Sequence, residues 1–337
     1  RCEPPIVEAA MRLIAHNEER FPKKIRAGKS GKQKVRFQYF EDCYKENAFL
    51  AEDIRQTVQN GVPLSEIAVL FRTNMQPRAL MEYMVSANLA FQTKDRIPDI
   101  YEHWIARDFF TYIRIAQGSD SRADFLSIMN RPKRYIGRDS LPDETVCFDE
   151  WMKLYEEQPW IAERIEKLWY DLKHLSRLSP YAAINYIRRG IGYDDYLAEY
   201  AEYRNANKED FYEVADEILA SAKGYRTFEE WFAHIEEYRQ ELKKLAQEKR
   251  RNQNAVTFAT LHSAKGLEFT KVYLIDVNEG VMPYKKAVLK QDIEEERRLF
   301  YVGMTRAKES LTICSVKKMR GKEVELSRFI KEAGKEP

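Results

Sequence analysis

The chain has 337 residues, of which 44% are apolar, enough for two or three domains with cores of their own. Its 56 basic and 54 acidic residues leave a net charge of +2, so a nucleic-acid-binding face has to be a local feature rather than a property of the average. Cys2, Cys43, Cys147 and Cys314 are scattered without a CxxC pair, which argues against a zinc site or a disulfide framework and suits reduced thiols in a cytoplasmic protein.

No apolar run approaches a membrane span, and no signal peptide opens the chain. The first residue is Arg rather than Met, as expected of a segment that begins inside a longer protein. Residues 6–20 carry apolar positions at helical spacing, and the basic, Gly-containing stretch 22–34 reads as an exposed loop. A strand is expected at 35–40 and a helix at 45–60. After the Gly61-Val62-Pro63 break come a buried strand at 66–71 and a helix at 76–87. This α-β-α-β-α rhythm predicts a layered α/β sheet.

From residue 99 the pattern becomes helical and rich in aromatic residues, and it closes on a long charged helix with Glu-Lys and Glu-Arg pairs three and four apart. The α/β rhythm then resumes, with strands at 255–261 and 271–277, a helix at 292–303 and a strand at 310–316. The expected architecture is a parallel-sheet α/β domain built from residues 1–98 and 252–337, interrupted by a mainly helical insertion at 99–251.

Three stretches imitate functional motifs. Gly28-Lys29-Ser30 ends like a phosphate-binding loop, but position 23 is Lys where that loop needs Gly. Asp216-Glu217 sits within a helical run, where an acidic pair reads as a solvated helix face. Gly190-Ile191-Gly192 reads as a helix stop followed by a turn.

Other stretches place polar residues where strands end. In TLHSAKGLEF, residues 260–269, a strand runs into a turn holding His262, Ser263, Lys265 and Gly266, and then Glu268. Ligands of parallel sheets gather at carboxyl ends of strands, and hydroxyls, imidazole and free N–H groups there can hold phosphate oxygens. An ordinary β-α loop is the alternative. The strand at 66–71 similarly delivers Arg72, Thr73 and Asn74, either toward a ligand or as a helix cap with a surface arginine. The helix before Gly303 leads into Thr305-Arg306-Ala307, which fixes Arg306 beside the sheet, where a guanidinium can stabilise charge on a transferring phosphoryl group. The Glu294–Glu296 cluster with Arg297 and Arg298 reads as a salt-bridged helix face.

Three segments recur in one order: RTNMQPR at 72–78, TLHSAKGLEF at 260–269 with VNEGVMP at 277–283, and EEERRLFYVGMTRAKESL at 294–311. Together they closely resemble the UvrD/PcrA/Rep group of superfamily 1 DNA helicases, specifically the second RecA-like motor domain with its inserted accessory domain. The resemblance implies an ATP-dependent helicase travelling 3′ to 5′ on single-stranded DNA and acting at junctions with duplex. It places the phosphate-binding loop and the Mg2+ ligands in a first motor domain that precedes this chain, so this half alone is expected to hydrolyse no ATP. Arg306 is then an arginine finger, and Arg1, at the tail of the motif that enters this domain, a second one. Glu268 and Gly266 line the nucleotide cleft. Arg72, Asn74, Thr260, His262 and Ser263 lie along the single strand. NRPKRYIGRDSL at 130–141 is similar to the accessory segment that grips duplex backbone, through Arg134 and Gly137 and with Arg131, Lys133 and Arg138 nearby. Tyr135 stands there in place of the family's first glycine. The competing readings are a non-motor DNA- or protein-binding module, and the motor subunit of a helicase-nuclease complex.

Overall fold

A computed structural model describes residues 2–18, 35–95, 98–248 and 254–334. Arg1 and the basic stretch with Gly28-Lys29-Ser30 lie outside the described residues. The chain divides into two compact units, residues 1–98 with 240–337 and residues 99–239. The first unit begins with α1 (Pro4–Ile14), β1 (Arg36–Asp42), α2 (Cys43–Gln59), β2 (Ile67–Phe71), α3 (Arg78–Ser86) and β3 (Phe91–Thr93). The helical unit follows, as α4 (Trp104–Ala116), α5 (Arg122–Ile128), α6 (Phe148–Lys153), α7 (Pro159–Leu175), α8 (Pro180–Arg189), α9 (Tyr193–Tyr203) and α10 (Lys208–Ser221). Helix α11 (Phe228–Glu248) crosses the division. The first unit is completed by β4 (Val256–Thr260), β5 (Phe269–Leu274), α12 (Lys290–Met304), β6 (Ala307–Met319), β7 (Lys322–Glu323) and α13 (Arg328–Ala333).

Among the described residues the strands form one sheet in the order β1-β6-β5-β2-β4-β3, all parallel, with β7 antiparallel to the far end of β6. The expected α/β class and parallel sheet are therefore present. The short β3 went unpredicted. Only three residues long, it offers no alternation to read, and it forms because β4 lies beside it in register Phe91↔Val256. Since β3 and β4 are parallel neighbours, the helical unit occupies the crossover between them. Its boundary by composition, at 251, differs from its boundary by packing, at 239. The first half of α11 buries Phe228, Trp231, Ile235 and Tyr238, and those anchors set the packing boundary.

Side chains of β5 alternate between two layers, as the period of a strand requires. Val272 and Leu274 join the core formed with α1, α12 and α13. Lys271 and Tyr273 point the other way, onto α2. There Lys271 Nζ lies 2.7 Å from Asp53 Oδ2 and donates to Thr57 Oγ1 at 2.6 Å, while the Tyr273 hydroxyl donates to Asp53 Oδ2 at 2.7 Å. Burial pushes the Asp53 carboxyl up, but hydrogen bonds from Lys271, Tyr273 and Arg36 outweigh it and hold the group below its ordinary value.

A second buried carboxyl behaves oppositely. Glu46, in the first turn of α2, is fully enclosed and accepts from the Asp276 N–H at 3.2 Å. Burial, and then the neighbouring Asp276 charge, raise its pKa well above the ordinary value. Such a group stabilises the fold while protonated. That stability is present below the unfolded pKa and is lost as the pH rises through the raised one. Glu46→Gln is therefore expected to raise the melting temperature at about pH 9 and to leave it nearly unchanged at about pH 5. Thermal unfolding followed by circular dichroism at both values checks this, and a lower melting temperature at the higher pH would refute it.

Candidate functional site

Because the strands run parallel, their carboxyl ends share one edge of the sheet and their amino ends the other. The candidate residues sort onto both edges. Phe71 and Thr260 are register partners at the ends of β2 and β4, so Arg72–Asn74 and His262–Ser263 emerge side by side at the carboxyl edge. Phe269 and Ala307 are register partners at the starts of β5 and β6, so Glu268 and Arg306 emerge side by side at the amino edge. The polar turn of TLHSAKGLEF is expected at a strand's carboxyl end. In the structure its connection 261–268 crosses from one edge to the other. Gly266 turns it at φ +89°, a left-handed conformation that costs a side-chain-bearing residue about 1–2 kcal/mol.

At the amino edge the Arg306 guanidinium is held by neutral acceptors. Nε donates to Val302 O at 2.9 Å, Nη1 to Leu267 O at 3.0 Å and Nη2 to Thr305 Oγ1 at 3.2 Å. No carboxylate pairs with it among the described residues, so its position is fixed while its charge is not neutralised. The Arg306 backbone is held as well, since Phe269 N donates to Arg306 O at 2.9 Å. Leu267 and Phe269 are thus both tied to Arg306, which keeps the half-buried Glu268 between them next to that arginine. Cys2 Sγ and Glu3 N reach Thr305 O and Lys308 O at 3.5 and 3.0 Å, which brings the start of the described chain to this edge.

The glycine that precedes this arginine is needed for space. A Cβ on Gly303 would come 2.3 Å from Leu261 Cδ2, and Leu261 is itself buried. The last turn of α12 approaches the start of the 261–268 connection closely enough to require glycine.

The carboxyl edge differs from expectation at Arg72. Its side chain does not face solvent. Nε and Nη2 donate to Glu296 at 2.8–3.2 Å, the pair is mostly buried, and the guanidinium lies 5.1 Å from the Tyr284 ring. Glu296 also accepts from Tyr284 N at 3.1 Å. The cluster expected to be a salt-bridged helix face is therefore largely internal, with Glu294, Glu296 and Arg297 all buried. Arg297 clamps Glu332 through Nε and Nη2 at 2.6 and 2.9 Å and donates to Asn17 Oδ1 at 2.6 Å. Arg298 alone matches the expectation, pairing with Glu294 and Glu295.

Other polar groups at this edge are ordered around Asp95, a residue that belongs to none of the motif segments. Its carboxylate accepts from Thr260 N at 2.7 Å and from the Ser263 hydroxyl. The Thr260 hydroxyl in turn donates to Ser263 Oγ at 3.1 Å. His262 beside them is exposed. Gln76 Oε1 accepts from the N–H groups of Arg72 and Thr73 at 2.8 and 2.7 Å and so shapes the turn that carries Asn74. Asn74 Oδ1 is buried with no hydrogen-bond partner, an acceptor without a donor at the strand ends.

In the helical unit, Arg134 is not available to grip a duplex. It is buried, and its guanidinium donates to the carbonyls of Ile128, Met129 and Pro132 and to the Tyr112 hydroxyl at 3.0–3.3 Å. Arg131 is bound to Asp108 at 2.7 Å. Gly137 has an ordinary φ of −67°, and a Cβ there would meet nothing closer than Tyr155 Oη at 3.5 Å, so neither conformation nor space demands glycine. Tyr135 by contrast adopts φ +58°, the backbone that favours glycine, and turns its ring outward. Gly190 and Gly192 end α8 and open α9, as expected, but Asp216-Glu217 is not a solvated face: Glu217 is buried, and the largely buried Asp216 pairs with Arg188 at 2.7 Å.

The description of the UvrD-like helicase C-terminal domain matches residues 1–144 and 164–318. The chain belongs to this family. Among curated relatives of this UvrD-like domain, the ATP-dependent DNA helicase PcrA of Staphylococcus epidermidis is 30% identical over 97% of the chain and 48% of that protein. The putative ATP-dependent DNA helicase YjcD of Bacillus subtilis is 27% identical over 98% of the chain and 44% of that protein. The ATP-dependent DNA helicase Rep of Salmonella typhimurium is 28% identical over 97% and 52%. The chain spans about half the length of these relatives.

Two substitutions test the packing that aims the UvrD-like site. Gly303→Ala is expected to cost about 1–3 kcal/mol by overpacking Leu261. Glu296→Gln is expected to cost ~2 kcal/mol, because it leaves a largely buried Arg72 without its counter-charge. Urea unfolding should show a lower midpoint with an unchanged slope for each, and wild-type midpoints would show that neither contact is tight.

Proposed function

We propose that this chain is the C-terminal motor half of an ATP-dependent DNA helicase that translocates 3′ to 5′ on single-stranded DNA in the cytoplasm. In this reading, ATP binds between the amino edge of this sheet and a first motor domain of the same protein. The observation that carries the reading is Arg306, whose guanidinium is oriented by three neutral acceptors and left with its charge unspent.

The chemistry of Arg306 suits a triphosphate. Arg306 is permanently charged and keeps donors beyond those already engaged, so it can stabilise negative charge as it develops on a transferring γ-phosphoryl group. Glu268, held next to it, lines the nucleotide cleft, and Gly266 sets the turn that leads there. Arg1, directly before Cys2, is a second finger. Mg2+ neutralises phosphate charge when bound. In this reading its ligands belong to the first motor domain.

The opposite edge forms the DNA track. His262 is exposed there to meet a base or a phosphate. Asn74 lies in the same turn, with its Oδ1 buried and lacking a donor. Thr260 and Ser263 contribute mainly by holding the His262 turn in shape, and Arg72 by holding its own strand end against Glu296. Alternating closure and opening of the nucleotide cleft then moves the strand past this edge.

In the full-length protein, Arg306→Ala is expected to lower kcat for DNA-stimulated ATP hydrolysis by roughly 10³-fold while ATP affinity stays near wild type. Steady-state turnover and equilibrium nucleotide binding measured together decide it, and unchanged turnover overturns the finger assignment. The 337-residue chain alone is expected to show no hydrolysis. His262→Ala in the same chain should weaken binding to labelled single-stranded DNA without changing its melting temperature, as fluorescence anisotropy would show.

A further inference from the structure

The helical unit exposes a group of side chains that neither edge of the sheet uses, Lys133 and Arg138 of the segment expected to grip duplex among them. Tyr135 is 57% exposed and Trp160, at the start of α7, is 49% exposed. The Arg164 guanidinium lies between them, 5.2 Å from the Tyr135 ring and 4.9 Å from the Trp160 ring. Lys133 Nζ lies 4.7 Å from the Tyr135 ring centre. The exposed Arg138 follows three residues after Tyr135. Among the described residues, Lys133, Arg138 and Arg164 form no ion pair. That sets them apart from Arg36, Arg114, Arg131, Arg188 and Arg239, each of which has a carboxylate partner.

The presentation of Tyr135 is built rather than incidental. Asn130 Oδ1 accepts from Arg134 N and Ile136 N at 3.2 and 3.1 Å, and Asn130 Nδ2 donates to Ile136 O at 2.8 Å. The buried Arg134 ties the carbonyls of the same turn together, and Arg164 Nη1 donates to Arg134 O at 3.0 Å. These bonds hold a non-glycine residue in the left-handed region, at a cost that an unused ring would not offset. The outcome is a rigid turn that displays an aromatic face, with a second aromatic and unneutralised cations around it.

We propose that Tyr135, Trp160, Arg164, Lys133 and Arg138 form a binding site for single-stranded nucleic acid on the helical unit, in which unstacked bases lie on the two aromatic rings and the cations meet the phosphates. Exposed rings suit splayed bases because every base has a π-face, whereas the bases of a duplex are already stacked on one another. The site requires no motor activity and shares no residue with the strand-end site. It reads Tyr135 as a gain of ring chemistry rather than as the loss of a glycine.

The test uses the whole 337-residue chain with an oligothymidylate carrying 5-iodouracil, and a blunt duplex of equal length. Photo-crosslinks are expected at Tyr135 or Trp160. Trp160→Ala and Tyr135→Gly should each weaken oligothymidylate binding by about tenfold and leave duplex binding unchanged. Tyr135→Gly removes the ring while suiting the left-handed backbone, so a loss of binding in that variant cannot be ascribed to misfolding. Crosslinks confined to residues 72–74 and 260–263, with wild-type affinity in both variants, would overturn the proposal and leave the strand-end track standing. Crosslinks at Tyr135 or Trp160 but none at the strand ends would support it and count against that track.

Discussion

Helix α12 is the member on which the rest of the sheet unit depends. It is the crossover between the adjacent parallel strands β5 and β6, so it must run from the carboxyl edge of the sheet back to the amino edge. Its 15 residues span roughly 22 Å, and its buried charges fix it along that length. Glu296 takes the guanidinium of Arg72 from the end of β2, and Arg297 grips Glu332 on α13 and Asn17 beyond α1. Each of these charges would be expensive to bury alone, so the pairs specify where the helix sits more than they add net stability. Near its far end Gly303 admits Leu261, and Arg306 follows. A single rigid element thus fixes a residue at each edge of the sheet, Glu296 beside the strand ends and Arg306 among neutral acceptors.

The two edges solve opposite electrostatic problems. At the carboxyl edge the arginine is neutralised and stacked, and the turns around it are tied by Gln76 and Asp95. What remains there is the exposed His262 and the buried, unsatisfied Asn74 oxygen. At the amino edge the arginine is oriented by carbonyl and hydroxyl oxygens alone, which direct a guanidinium without cancelling its charge. The helical unit repeats this division between Arg134 and Arg164. One guanidinium is spent inside the turn, and the other is displayed between two aromatic rings.

Much of this was legible in the sequence for simple reasons. Strands β2, β4, β5 and β6 are apolar runs bounded by polar turns, and a buried parallel sheet needs such runs. The helical insertion announced itself by a change of period at residue 99. The motif segments identified the family because they are long, ordered and spaced as in the helicases they resemble. The sequence could also say that Arg306 follows a helix and a glycine, since that is a statement about neighbours along the chain.

What the sequence could not decide were the partners of charged side chains. Glu296 and Arg72 are far apart in the chain, and nothing local distinguishes Glu296, which is buried, from Glu295, which is exposed. For the same reason Arg134 read as a surface cation and Asp95 went unnoticed. The side of the sheet on which Glu268 falls depends on the path of a connection between strands. The conformation of Tyr135 depends on hydrogen bonds from Asn130 and Arg134. Local pattern determined the elements, their order and the family. Only the tertiary structure decided which charges are spent inside the fold and which remain to act, because a charge is neutralised by what lies near it in space.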